Sequence, residues 1–506
     1  MNESRTERAM SNGIVSVLSR LLLTMAPFAI RSILIYTLGV NYLGLNSLFS
    51  SILSVLSLSE LGFSNAVIFS MYKPMAEGDD QKVCALLNFY RKVYNVVGTV
   101  IVVGGLACLP FLDKLISSDY PKEVNIYVIY VIYLANASLT YFVFAYKNSI
   151  FIASMRNDID NAVTTICQVA MYLTQILIML VYPNYYVYAI CMPLFTLINN
   201  VVKSELVRKR YPQYTCNGSL EKAETKDIAT RVGALIGNKI GGVVFSSVDS
   251  IVISAFLGLT ILGQYSNYYL ILTSVAGLVS ITFTSIQAVI GNNITCKDEN
   301  ENYGVFNELL LISSWITAFS TCCFACLYQN FIEIWVGKEN VLGEEIAICL
   351  AIFYFCRGIR QVCYTYKEAA GMWREDFLKP YVSVVINLVV NIILVQVIGL
   401  PGVIISSIIA LAFVEIPWET QVFFKLYFKR NTKEYYLRLL KVILVTILST
   451  VLAFVICKFF PNTIWGLVVR IGICFIVSNV IFVAGFLRTK EFQSVKQRVV
   501  RLLKKG

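Results

Sequence analysis

The chain contains no histidine. That removes Ser-His-Asp and Cys-His catalysis and HExxH zinc sites together. Charge is scarce as well: 14% of residues are Asp, Glu, Lys or Arg, where a soluble protein carries about a quarter. Large connections are also missing. The longest lie at about 111–123, 208–229 and 329–344, and none can hold a domain. A polymerase or ligase with a catalytic loop has nowhere to place its chemistry. The chain is not expected to be an enzyme, and no cofactor or metal is expected. A cleavable signal peptide is not expected either. The polar start MNESRTERAMSNG leads into an apolar run long enough to span a membrane.

What fills the chain is apolar. Hydrophobic residues make up 57% of it, and the mean hydropathy is +0.69. Runs of about 20 such residues recur along the chain, the pattern of an all-α polytopic membrane protein. Fourteen spans are expected. Six lie at about 13–38, 42–70, 86–110, 124–146, 159–182 and 185–207. Six more lie at 230–256, 261–290, 304–328, 345–366, 378–399 and 402–426, and two at 438–460 and 463–487. With the N-terminus in the cytoplasm, 29 Lys and Arg fall on the inner side. Four (Lys114, Lys122, Lys338 and Lys458) fall outside. That bias places both termini inside. It also explains the net charge of +11 without nucleic acid. The tail, RTKEFQSVKQRVVRLLKKG, reads as a basic surface helix against anionic lipid. Among 14 cysteines, Cys322, Cys323 and Cys326 fall close together inside a span. They read as small apolar packing groups, with zinc or a disulfide as the lesser alternative.

The chain is duplicated. Residues 38–53 align with 257–272, and seven of the sixteen positions are identical, among them Gly39/Gly258 and Gly44/Gly263. At the same offset Arg20 falls on Lys239. Arg156 and Asp158 fall on Arg374 and Asp376, and Pro183 on Pro401, at an offset of 218. Both copies start in the cytoplasm, so they are parallel repeats, related by a pseudo-two-fold along the membrane normal with a path between them. The expected organisation is an N-lobe over 1–207, a linker over 208–229 and a C-lobe over 230–430. Spans over 431–487 have no counterpart, and a basic tail covers 488–506.

Charges inside spans are the candidates for function. A charge at mid-helix costs about 2.5–3.5 kcal/mol on insertion scales. The cations are Arg20, Arg31, Lys239, Arg357 and Arg360; the carboxylates are Glu60, Asp249 and Glu415. Arg20 and Arg31, eleven residues apart, share a helix face about 16 Å apart along the axis. Arg357 and Arg360 share a face near mid-membrane. Structural pairing competes with this cavity assignment. Glu60 matches Arg20 in depth, Asp249 is a candidate partner for Lys239 although ten residues away and about 80° off its face, and Glu415 suits Arg357 or Arg360. Arg31 has no carboxylate at its depth in the second span, and Ser250 takes its place in the second copy. Uncharged polar residues within spans, such as Gln168, Gln175, Asn199, Asn200 and Asn387, suit interhelical bonds or a cavity that passes hydroxyls.

Three runs carry a resemblance: SVLSRLLLT at 16–24, YLGLNSLFSSILSVLSLSELGFSNAVIFSMYKPMA at 42–76, and LGQYSNYYLILTSV at 262–275. They resemble the Wzx-type polysaccharide flippases, which serve O-antigen and capsule assembly within the MOP exporter superfamily. That resemblance covers about 10–430. It implies a V-shaped, two-lobed bundle around a central cavity, in a bacterial inner membrane. It implies alternating access that moves an undecaprenyl-diphosphate-linked oligosaccharide from the cytoplasmic to the periplasmic or outer leaflet. Cavity cations would hold the diphosphate or acidic sugars, and Arg31, Arg20, Lys239, Arg357 and Arg360 fit that role. Glu60 and Asp249 would be coupling carboxylates. Partners would be membrane lipids, a polysaccharide polymerase and a chain-length regulator. A MATE-like exporter of small cationic molecules shares the architecture but wants an anionic cavity. Here five cations stand against three carboxylates.

Overall fold

The computed structural model describes residues 5–57, 63–117, 120–296, 298–372 and 375–503. Glu60, Lys297, Arg374, Lys504 and Lys505 lie outside them, as do the side chains of Arg20 and Lys239. The described chain is almost wholly helical and contains no strand. It divides into two compact units, 1–263 and 264–506.

The first unit runs through α1 (Arg5–Leu38), α2 (Val40–Leu56), α3 (Phe63–Glu77), α4 (Asp80–Cys108), α5 (Leu112–Leu115) and α6 (Ile126–Leu139). It continues with α7 (Asn148–Ala153), α8 (Asn157–Val181), α9 (Tyr185–Arg210) and α10 (Lys222–Leu257). Helix α11 (Leu259–Cys296) begins in this unit and continues into the next. The second unit holds α12 (Glu299–Val336), α13 (Glu344–Ala369), α14 (Lys379–Ile398), α15 (Leu400–Ile409), α16 (Ile416–Phe423), α17 (Lys433–Cys457), α18 (Ile464–Phe486) and α19 (Lys490–Leu503). Among the described residues ten helices are long and apolar enough to cross a membrane. Shorter apolar helices, Leu22–Leu38, Val40–Leu56, Ile126–Leu139 and Ser247–Leu257, fall where the other four spans are expected.

One expected span ends early. Helix α6 stops at Leu139, where span four runs on to 146 in sequence. The hydroxyls of Ser138 and Thr140 donate to the carbonyls of Ala135 and Ala137 there, local bonds that compete with the next helical turn. Helix α2 is described to Leu56, residues 58–62 lie outside the described residues, and α3 covers the remainder of the second expected span.

The duplicated turn has one geometry in both copies. Gly39 has φ 103° and ψ 164°; Gly258 has φ 92° and ψ 171°. Each amide donates back into the helix before it, Gly39 to Ile35 and Gly258 to Ile253, at 3.0 Å in both. Only glycine enters that backbone region without strain. The two copies also meet within the first unit. A Cβ on Gly44 would collide with the Leu259 carbonyl, and a Cβ on Gly263 with the Val40 carbonyl. At the repeat offset Val40 is the counterpart of Leu259, and Gly44 of Gly263. Asn41 accepts a 2.6 Å bond from its own counterpart, Thr260. Reciprocal contacts of this kind are the mark of a two-fold interface.

In the second unit α12 packs against α13, α17 and α18. Trp315 stacks on Phe482 and donates to Asn479 at 2.7 Å. Between α15 and α16 the helix widens to a π turn over Ala410–Glu415. Pro417 follows, cannot donate to the carbonyl four residues back, and so favours the wider turn.

Candidate functional site

Six charged side chains converge in the second unit. Arg360 on α13 grips Glu419 on α16 with two bonds, Nε to Oε2 at 2.7 Å and a terminal nitrogen to Oε1 at 2.6 Å. Its other terminal nitrogen lies 2.6 Å from Glu415, on the π turn. Ser383 on α14 donates to the same Glu415 at 2.8 Å. Lys379, at the start of α14, bonds Glu419 and lies 3.1 Å from Asp376. Lys367 on α13 reaches Asp376 at 2.5 Å. Glu419, Asp376, Lys367 and Lys379 are all under 4% exposed, so their charges depend on one another rather than on water. A buried carboxylate or ammonium is tolerable only with such geometry. Three cations and three carboxylates bring the formal charge of the cluster to zero.

The sequence points to part of this cluster. Glu415 does neutralise Arg360, one of the two pairings open in sequence. Asp376 stands out only as a repeat marker, Lys379 only as a topology lysine, and Glu419 not at all. The available signal is the spacing of Glu415 and Glu419 around Pro417, facing Arg360 and Lys367 seven residues apart.

Arg357, one turn before Arg360, is different. It is exposed at the surface of its unit, beside Tyr354, and forms no ion pair with any described residue. One helix therefore carries a neutralised guanidinium and an uncompensated one.

The first unit has a smaller polar system. Arg31 on α1 is half-buried and lies in electrostatic range of Tyr188 on α9 and Tyr172 on α8. Behind it, Tyr133, Tyr185 and Tyr188 interlock as core: Tyr185 stacks on Tyr188 and its hydroxyl lies 3.0 Å from that of Tyr133. Lys203 on α9 is 3% exposed. It lies 2.5 Å from Asp160 in the first turn of α8 and donates to Thr164 at 2.7 Å. Beside this pair is a cavity of about 170 Å³ whose walls include Gln168, Asn136, Thr196 and Asn199. Gln175 and Asn200 instead bond the carbonyls of Tyr188 and Leu139, and Asn387 bonds Ser406 and Ser407. These three act as interhelical ties.

Of the other sequence candidates, Asp249 is buried on α10. Glu60 and the side chains of Arg20 and Lys239 lie outside the described residues, and their pairings with them. Cys322 and Cys326 pack with Cys474 and Cys457 in an apolar cluster around Ala453. The sulfurs of Cys322, Cys326 and Cys474 lie within 4.8 Å of one another.

Solved structures share the fold. The lipid II flippase MurJ, in an inward closed conformation, is 16% identical with a TM-score of 0.66, over 94% of this chain and 98% of its own. An inward-facing multidrug resistance MATE transporter of the MOP superfamily is 13% identical with a TM-score of 0.61, over 80% and 98%. A MATE transporter of Vibrio cholerae is 12% identical with a TM-score of 0.57, over 85% and 98%. No curated protein matches the chain by sequence. One family does match, described as polysaccharide biosynthesis protein, over residues 9–289. That stretch carries both copies of the glycine turn, the Arg31 helix and the Asp160–Lys203 pair, and it exceeds half of the sequence. The chain belongs to the polysaccharide biosynthesis protein family.

Proposed function

We propose that this protein is a flippase for a lipid-linked oligosaccharide, moving the saccharide head across the membrane by alternating access. The observation that carries it is membership of a polysaccharide biosynthesis family by a chain built of apolar helices. A multi-pass protein of that family contributes by passage across the bilayer. A lipid II flippase among the structural neighbours supports the same reading. The bias of Lys and Arg supports both termini facing the cytoplasm, and a bacterial inner membrane is what the resemblance to Wzx-type flippases implies.

The substrate would be undecaprenyl-diphosphate-linked, its lipid tail staying in the bilayer while the head crosses. Guanidinium meets phosphate through paired, charge-assisted bonds. Arg357 and Arg31 are the groups assigned to that contact, and Arg20 and Lys239 are further candidates for it. Arg360 is assigned to holding the cluster in place, since two carboxylates already occupy it. Glu60 and Asp249 are the candidates for ion coupling. Polymerase and chain-length regulator would act on the product.

The test is complementation of a chromosomal deletion, with surface polysaccharide and membrane insertion measured together. Arg357→Ala and Arg31→Ala should each abolish surface polysaccharide while the protein still inserts. Normal polysaccharide from both variants would sink the cationic mechanism. Altered drug susceptibility on deletion, with polysaccharide intact, would favour the MATE-like exporter instead.

A further inference from the structure

The second unit holds a larger cavity, apart from the ion cluster. It has a volume of about 440 Å³ and lies between α12, the start of α17 and the junction of α18 with α19. Six charged residues line it: Glu434, Arg438, Lys441, Arg488, Lys490 and Glu491. Four cations against two carboxylates leave a surplus of two positive charges. Both carboxylates are already engaged. Arg438 lies 2.7 Å from Glu434 and 2.6 Å from Glu491, which ties α19 to α17 and fixes that wall. Arg488 and Lys490 are exposed and form no ion pair with any described residue. The Lys441 ammonium lies over the Phe486 ring, 4.8 Å from its centre, with no carboxylate among the described residues.

The uncharged lining is mostly apolar, including Leu311, Val442 and Phe486, with Asn307, Thr489 and Ser314 as its polar groups. Ser314 is 0% exposed, lines the cavity, and its hydroxyl has no hydrogen-bond partner. A buried hydroxyl without a partner is unfavourable, and a ligand oxygen would supply one. A cationic mouth over an apolar wall, at the basic ends of membrane helices, has the polarity profile of a lipid headgroup and its first carbons.

We propose that this cavity binds the phosphodiester headgroup of an anionic phospholipid. Lys441, Arg488 and Lys490 meet the phosphate, and Ser314 bonds a glycerol or ester oxygen beneath it. The bound lipid holds the basic helix α19 against the membrane beside α17 and α18, the two helices that lie outside the repeat. This site does not depend on what the repeats transport.

The test uses the delipidated full chain in neutral detergent, titrated with phosphatidylglycerol and, separately, phosphatidylcholine, and read by native mass spectrometry. Phosphatidylglycerol should bind selectively. Lys441→Ala with Arg488→Ala should weaken it about 30-fold, at roughly one surface charge's worth per residue. Lys496→Ala with Arg501→Ala removes the same charge from α19 without touching the cavity and should leave affinity nearly unchanged. Ser314→Leu fills the cavity at constant charge and should also release the lipid. Equal weakening by the two double variants would show diffuse surface attraction and overturn the site. So would equal binding of phosphatidylcholine. Displacement by inorganic phosphate regardless of acyl chains would assign free phosphate and overturn the lipid.

Discussion

Two helix pairs at comparable places in the repeat solve one problem with opposite signs. In the first unit the start of α8 gives the anion, Asp160, and the following helix the cation, Lys203. In the second unit the start of α14 gives the cation, Lys379, and the following helix the anion, Glu419. Asp160 and Lys379 are 219 residues apart; Lys203 and Glu419 are 216 apart. What the two copies share is a buried ionic tie at this corner, while its polarity differs. The second unit has built further on its tie, adding Arg360, Lys367 and Glu415 and drawing in Asp376, whose counterpart Asp158 pairs with Arg156 in the first unit. The first unit has kept it single, next to a polar cavity. A sequence comparison by residue type would find Asp158 kept as Asp376 but miss the tie, since at that offset of 218 Asp160 falls on Leu378 and Lys203 on Gln421.

That contrast can be broken most forcefully at Glu419, which touches Arg360, Lys367 and Lys379. Glu419→Ala leaves buried cations uncompensated and should cost about 3–5 kcal/mol, read as lost thermal stability in detergent. The single tie is weaker, because one-fifth of the Asp160 side chain is exposed. Lys203→Met should cost about 2–3 kcal/mol in the same assay. Combining Asp160→Lys with Lys203→Glu imitates the second unit and should recover at least half of that loss. Failure to recover any would show that polarity matters and would end the equivalence. The glycine contact offers a milder comparison. Gly44→Ala and Gly263→Ala should each cost about 1–3 kcal/mol by overpacking. Their costs should be similar, because each faces the counterpart of the other's partner. Arg357→Ala should change stability least, within about 0.5 kcal/mol, yet remove transport. A stability loss near that of Glu419→Ala would mean that Arg357 belongs to the cluster.

Much of this was legible in the sequence. Hydropathy alone gives the helices, and seven identities in sixteen give the repeat. The matched φ values at Gly39 and Gly258 show why those two glycines survive in both copies. The split between Arg357 and Arg360 was not legible. Three residues apart, they share a face in any helical projection. The outcome depends on a π turn before Pro417, which rotates Glu415 and Glu419 away from regular α-helical positions. Asp376 lies in a connection between helices, where periodicity gives no direction to a side chain. The early end of α6 depends on hydroxyl bonds that a hydropathy profile does not register.

The neutrality of the second unit's cluster has an electrical consequence. Carrying one elementary charge through a membrane potential takes about 2.3 kcal/mol per 100 mV. A group of three cations and three anions that moves as a body does no net work against that field. A rearrangement that carries the cluster intact through the field therefore draws no voltage dependence from its net charge. Under the proposed function, gating current should arise instead from uncompensated charges such as Arg357 and from an anionic cargo.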